Sequence, residues 1–364
     1  MPRIDAFLKL GRDQGGSDIH LSVGIPPLIR LFGDLSPIKY RELSESEIND
    51  FLNEILTDAQ LATFEQGKNI EFSYQSDEAG RFRVSVFKKV GGTGATFRAI
   101  SPSIPSLNDL GLPPAVRKML DVNQGMILVT GSTGTGKSTT LASMIDVLNH
   151  QRRLNIITLE DPIEYVHKSD KSLVIQREIG RHVKNYRDGL RAALREDPDV
   201  ILVGELRDPK TISMAMTAAE TGHLVLSTLH TTSATKTIDR IIDAMPTEQK
   251  SQAASFLAQH LHAVISQKLV KTFDGRGRKA IAEIFFNTPA ISSLILNGKV
   301  FQIPSVLQTG KDQGMMLMDQ ALLEAVNKKE IDPDEAYLHA NDKQQFQRFV
   351  TNPDLLPQVN LAVN

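Results

Sequence analysis

Gly131-Ser132-Thr133-Gly134-Thr135-Gly136-Lys137-Ser138 follows directly on the apolar run Met126–Thr130, and a helical pattern from Thr139 to Leu148 follows it. The spacing is G-x-x-x-x-G-K-[ST] between a strand and a helix, the arrangement of a phosphate-binding loop. Glycines let the backbone wrap closely enough for successive N–H groups to point at phosphate oxygens, and the helix N-terminus adds a favourable dipole. Lys137 supplies a positive charge to the β- and γ-phosphates, and the Ser138 hydroxyl suits Mg²⁺. The stretch Gly131–Thr139 is therefore expected to hold ATP with Mg²⁺.

Three further apolar runs end in groups able to act on a terminal phosphate. Ile156–Leu159 ends in Glu160-Asp161, Val200–Gly204 ends in Glu205, and Leu224–Leu229 ends in His230. As parallel strands, all would present their carboxyl ends on the edge that carries the phosphate loop. Glu205 occupies the place of the acid that holds Mg²⁺ through water and orients the attacking water. Glu160 also qualifies as the base, and the sequence does not choose between them. His223 and His230 flank one strand, and seven residues at about 3.3 Å each separate them by roughly 23 Å. His230 is expected at the terminal phosphate and His223 at a remote interface or packing position.

Arginines form a third group. Arg83 and Arg98 lie on two arms of a hairpin that turns near Val90-Gly91, so they are expected opposite each other. Like charges side by side on a sheet repel, and an anion between them relieves that cost. The ATP of a neighbouring subunit would supply such an anion, making both arginines fingers in trans. Arg207, two residues past Glu205, is expected at the same interface. Arg187, Arg191 and Arg195, spaced by four, read as one solvated or subunit-facing helical stripe.

The elements that must position these groups fall into two parts. Before residue 101, the pattern mixes short strands and helices: Leu28–Phe32 runs as a strand into Gly33-Asp34. Ser44 caps a helix with Glu47 three residues on, and Phe82, Val84 and Val86 alternate with Arg81, Arg83 and Ser85. Residues 1–100 are thus expected to form a small α+β domain. Four prolines and a glycine between 101 and 114 predict a connector. From 115 onward, apolar runs alternating with helical patterns predict a parallel-sheet α/β domain. A helical part follows over about 287–350, then a loose tail from Asn352.

Composition narrows the classes further. The chain has 364 residues with 41 Lys+Arg against 43 Asp+Glu, a net charge of −2. Balanced charge, 5% aromatic residues and no Trp leave little for stacking bases, so no nucleic-acid partner is expected. The absence of Cys excludes disulfides, thiolate metal sites and a cysteine nucleophile. No stretch approaches the roughly 20 apolar residues of a membrane span. With no apolar leader after Met1-Pro2-Arg3-Ile4-Asp5, a cytoplasmic location is expected.

The phosphate loop, Ile157-Thr158-Leu159-Glu160-Asp161-Pro162-Ile163-Glu164-Tyr165, Val203-Gly204-Glu205-Leu206-Arg207-Asp208 and Thr221-Gly222-His223…His230 occur in that order. Together they resemble the Walker A, Asp-box, Walker B and His-box motifs of the bacterial type II/IV secretion and type IV pilus ATPases. Gly16-Ser17-Asp18-Ile19-His20-Leu21, Gly80-Arg81-Phe82-Arg83-Val84 and Phe301-Gln302-Ile303-Pro304-Ser305 are similar to the pilus-retraction subfamily. The resemblance implies a PAS-like N-terminal domain, a RecA-like ATPase domain and a homo-hexamer with ATP at subunit junctions. It further implies a retraction motor at the cytoplasmic side of the inner membrane, acting on a pilus platform protein, with a paralogous motor subunit as a second partner. The implied roles are Arg83 and Arg98 as trans arginines, Glu160 in the Asp box, Glu205 as the acidic catalytic residue, and His223 and His230 in the His box. One element departs: where the subfamily carries a charged Ala-Ile-Arg-Asn-Leu-Ile-Arg-Glu stretch, this chain reads Ala290-Ile291-Ser292-Ser293-Leu294-Ile295-Leu296-Asn297. That departure keeps open an accessory subunit that binds nucleotide with little turnover of its own.

Overall fold

Asp18–Ser22 (β1), Leu28–Leu31 (β2), Asp34–Pro37 (β3), Ile70–Ser76 (β4), Gly80–Lys89 (β5) and Gly92–Ile100 (β6) bond side by side in the order β3-β2-β1-β6-β5-β4. Every neighbouring pair is antiparallel. The computed structural model describes residues 2–31, 34–100 and 103–357; Phe32 and Gly33, expected at a strand end and turn, lie outside them. The expected alternation in β5 is present: Phe82, Val84 and Val86 are fully buried with Ile19, Leu21 and Phe97. Burial of each such side chain contributes roughly 1.5–3 kcal/mol. Helices Asp5–Asp13, Glu45–Asn53 and Asp58–Glu65 bring Leu8, Ile48, Phe51 and Phe64 to the same core. Ser44 caps the second of these in the expected box with Glu47.

Gly125–Thr130 (β7), Asn155–Glu160 (β8), Leu173–Glu178 (β9), Val200–Val203 (β10), Leu224–Leu229 (β11), Leu261–Lys271 (β12) and Arg278–Phe286 (β13) make a second sheet, ordered β13-β12-β7-β11-β10-β8-β9. Six strands run parallel and β13 is antiparallel to β12. Both faces are covered, which is why these strands read as unbroken apolar runs. In β7, Met126 and Leu128 enter one core while Ile127 and Val129 enter the other. This is the RecA-like α/β architecture the sequence predicts. The sequence patterns do not predict β1, β3, β4, β9 or β12.

The two sheets belong to separate compact units, Met1–Ile104 with Pro162–Val166, and Pro105–Asp161 with His167–Asn364. From Pro105 the chain is packed onto the second unit, with Leu107 and Leu112 buried and Ser143 Oγ donating to the Pro105 carbonyl at 2.6 Å. Towards the C-terminus, Thr351 N donates to Asp334 at 2.6 Å, and Leu355 and Leu356 pack on a helical core around Leu322, Ile331 and Phe346. The remainder of the expected loose tail, 358–364, is outside the described residues. Among the described residues, no helix is long and apolar enough to cross a membrane. The arginine stripe is shorter than its spacing predicts: the helix Tyr186–Ala193 ends before Arg195, leaving Arg187 and Arg191 on it.

Candidate active site

The phosphate loop joins β7 to the helix Lys137–Gln151. Gly131, Gly134 and Gly136 have φ of 144°, 80° and 88°, which side chains resist. At Gly131 the space is also closed: a Cβ would lie 2.4 Å from the Gln267 carbonyl oxygen and 2.6 Å from Thr135 Oγ1. Gly136 caps the helix and has no side chain to bond its first turn, so the cap residue itself offers no acceptor that competes with an anion there. Lys137 Nζ is buried and donates to the carbonyls of Gly131 at 2.8 Å and Ser132 at 2.9 Å, which holds its charge over the loop. Ser132, Thr133, Gly134 and Ser138 are exposed, Thr135 and Thr139 half-buried. The cradle therefore fits a phosphate chain. Among the described residues no three acids or histidines gather in a metal cage.

The loop leans on a residue that sequence reasoning missed. Gln267, on β12 beside β7, donates through Nε2 to the Thr135 carbonyl at 2.7 Å and accepts from Thr140 Oγ1 at 2.8 Å. It is almost wholly buried. The available signal was a polar amide inside the apolar run of β12, where an unpaired amide would be costly.

β11 lies beside β7, β10 beyond it and β8 beyond that, so the expected edge exists, with its groups at graded distances. With strands about 4.8 Å apart, the end of β10 is roughly 10 Å across the sheet from the loop strand, and the end of β8 roughly 14 Å. Glu205 follows β10. Its Oε1 lies 3.1 Å from His230 Nε2, and its Oε2 lies 2.8 Å from Arg207. Partial burial pushes the Glu205 carboxyl up, but the hydrogen bonds and charges of Arg207 and His230 outweigh this and hold it below its ordinary range. Glu205 is thus ionised at neutral pH, with an imidazole and a guanidinium aligned on its two oxygens. Arg207, expected at a subunit interface, is largely exposed and pairs with its own chain's Glu205 at 2.8 Å.

Glu160 stands apart from this trio. It accepts from Thr158 Oγ1 at 2.6 Å and Gln176 Nε2 at 3.1 Å, on the β8–β9 side. Tyr186, also missed by sequence reasoning, lies near enough to Asp161, Glu205 and Glu160 for their charges to act on it. A Cβ on Gly204 would sit 2.9 Å from its hydroxyl and 3.5 Å from Glu160 Cα. This explains why position 204, just before the acid, is a glycine. Burial and the surrounding acids push the Tyr186 phenol up, so it stays protonated. His223 lies before β11 and His230 after it, at opposite ends as expected. His223 Nδ1 lies 2.9 Å from the Ala218 carbonyl and 3.3 Å from Thr221 Oγ1, against the end of a helix.

In the first unit, Arg83 and Arg98 are direct cross-strand partners. The anions that offset them are their own chain's carboxylates: Glu71 at 2.9 Å and Glu164 at 3.6 Å for Arg83, and Asp18 at 2.8 Å for Arg98.

The family described as type II/IV secretion system protein matches residues 54–291. The chain belongs to this family. Within it, the chain is 46% identical to the type IV pilus retractation ATPase PilT of Pseudomonas aeruginosa over 343 residues, 94% of this chain and 99% of that one. It is 47% identical to a twitching motility protein of Neisseria gonorrhoeae over 320 residues, 88% of this chain and 86% of that relative. Among solved structures, the pilus retraction motor PilT with bound ADP superposes with a TM-score of 0.87 at 40% identity, covering 95% of this chain and 99% of that one.

Proposed function

We propose that this family member is a hexameric, ATP-hydrolysing motor that powers type IV pilus retraction from the cytoplasmic side of the inner membrane, acting on a membrane-embedded pilus platform. The observation that carries the reading is the Glu205 carboxylate bracketed by His230 at 3.1 Å and Arg207 at 2.8 Å, at the sheet edge that also bears the phosphate loop. The loop amides from Gly131 to Thr139 and Lys137 bind and orient the phosphates, and Lys137 exchanges its loop carbonyls for phosphate oxygens. Mg²⁺, near Ser138 and through water Glu205, would neutralise charge developing on the phosphates. Glu205 accepts the proton of the attacking water, and His230 and Arg207 keep its carboxylate turned and charged for that step. Glu160 orders the adjoining edge through Thr158 and Gln176. His223, at the other end of β11, acts on packing there.

Arg83 and Arg98, on the N-terminal α+β unit, complete the site of the neighbouring subunit. They lower the barrier by stabilising charge on the transferred phosphoryl group. Residues 1–100 then act as a rigid body moved by nucleotide state. Arg98→Ala, measured by steady-state phosphate release alongside ADP binding, is expected to cut turnover by on the order of 10²-fold or more while binding persists. Unchanged turnover overturns the trans assignment.

One observation favours a second reading, an accessory subunit beside a paralogous motor. The helix Pro289–Leu296 keeps its buried Ile291 and Ile295, but the half-buried Ser292 and the exposed Leu296 stand where the subfamily carries arginines. Robust phosphate release by the purified protein alone removes this reading.

A further inference from the structure

The Gly16-Ser17-Asp18-Ile19-His20 stretch has no role in the account above, although its residues lie beside one of the arginines. β1 runs between β2 and β6, so Asp18 is opposite Arg30 on one side and Arg98 on the other, and Arg98 is in turn opposite Arg83. Directly paired residues of antiparallel strands share a face. Arg30, Asp18, Arg98 and Arg83 therefore form one transverse row across β2, β1, β6 and β5. The intervening residues Ile19, Phe97 and Val84 point into the core.

Within this row the two ends of the central pair differ sharply in exposure. The Asp18 side chain is 6% exposed and that of Arg98 61%. Asp18 Oδ1 accepts from Arg98 Nε at 2.8 Å, while Oδ2 accepts from Ser17 Oγ at 2.8 Å and lies 4.0 Å from Arg30. The bond to Arg98 is made by Nε, so the forked end of the guanidinium, with its two terminal nitrogens, stays outside it. Arg83 is held the other way, by both terminal nitrogens on Glu71 and Glu164. Burial pushes the Asp18 carboxyl up, yet the Ser17 and Arg98 bonds outweigh it and keep it ionised.

The surrounding residues hold the carboxylate in place. A Cβ on Gly16 would meet Ile29 at 2.5 Å, so only glycine lets the chain enter β1 this close to β2. His20 Nδ1 lies 3.2 Å from Thr96 Oγ1, two residues along the same face. A buried carboxylate is an expensive way to gain stability from one largely exposed arginine. Its geometry instead fixes the direction of a long side chain with many rotamers.

We propose that Asp18 is a positioning residue for Arg98: it grips the guanidinium by Nε and aims the free fork at an anion, which, on the trans reading above, is the phosphate chain of the neighbouring subunit's nucleotide. Glu71 and Glu164 shield Arg83, so Arg98 is the arginine presented first.

The test uses the full-length assembled protein, with steady-state turnover against ATP concentration, ADP binding and thermal unfolding measured together. Asp18→Asn keeps shape and removes charge. It is expected to lower kcat roughly tenfold or more, to leave KM and ADP affinity within about twofold, and to leave the unfolding temperature close to wild type. Asp18→Glu should recover part of the loss. Asp18→Asn combined with Arg98→Ala should be no slower than Arg98→Ala alone, because both remove one unit. A kcat unchanged in Asp18→Asn, or losses that multiply in the double variant, overturns the assignment of Asp18. Should Asp18→Asn not fold, Arg98→Lys probes the bond from the other side, since it keeps the charge but lacks Nε; wild-type turnover there overturns the proposal. Turnover unaffected by Arg98→Ala overturns the trans reading and this inference together, whereas a loss seen only in Arg98→Ala overturns this inference alone.

Discussion

The two sheets display their charged groups in opposite ways. On the antiparallel sheet, charges lie across an open face, one per strand, each opposed by the residue that the register delivers: Arg30, Asp18, Arg98, Arg83. On the parallel sheet both faces are buried, and polar groups gather where strands stop, as with Glu160, Glu205 and His230. An open face lets long side chains reach outward and be steered by neighbours. An edge holds its polar side chains against one another and against neighbouring side chains. The first arrangement suits a group that must reach another molecule, the second a group that must stay still around a substrate.

The largest expected effect breaks the edge. Lys137→Ala removes the charge that lies over the loop and should lower phosphate release to background, on the order of 10³-fold or more; measurable retention of turnover would count against the edge as the site of chemistry. Gln267→Leu tests how still the loop must be. It leaves the Thr135 carbonyl and Thr140 hydroxyl without their amide partner, a loss of about 1–3 kcal/mol. Roughly tenfold to a hundredfold weaker nucleotide binding is expected by equilibrium titration, against unchanged affinity if the loop holds its own shape.

Glu283 sharpens the comparison at the antiparallel margin of the second sheet. Burial pushes its carboxyl up, despite bonds from the backbone N–H groups of Ala234 and Met318. The folded state therefore holds this proton more tightly than the unfolded chain. The associated stability is present below the ordinary glutamate range and is lost as pH rises through the raised folded value. Glu283→Gln should flatten that part of the pH dependence of the urea midpoint; an identical slope in both proteins would refute it. The smallest effect lies in the first unit: Ser44→Ala should cost about 1 kcal/mol of stability, read by chemical denaturation, with turnover per folded molecule unchanged.

The same contrast explains what the sequence made legible. Edge residues announce themselves, because an apolar run ends and a polar residue follows, as with Glu205 after Val203-Gly204. The opposition of Arg83 and Arg98 was also readable, since their hairpin turns locally at Val90-Gly91. Asp18 was not, because β1 pairs with β6 some eighty positions away, and only the fold sets that register. Gln267 and Tyr186 escaped for a related reason: each reaches the site from an element not adjacent in sequence to any motif. The 2.8 Å pairing of Arg207 with Glu205, two positions before it, was not legible either, because spacing alone does not set the direction of a long side chain.

Glu283 has a mechanical consequence as well. One carboxylate ties the start of the helix Ala234–Ala244, which follows the His230 loop, to the start of Met318–Asn327 in the C-terminal helical part. If either helix slid away alone, a shielded amide would lose its acceptor, at about 1–3 kcal/mol. The two helix starts thus share one acceptor, and separating them carries that cost.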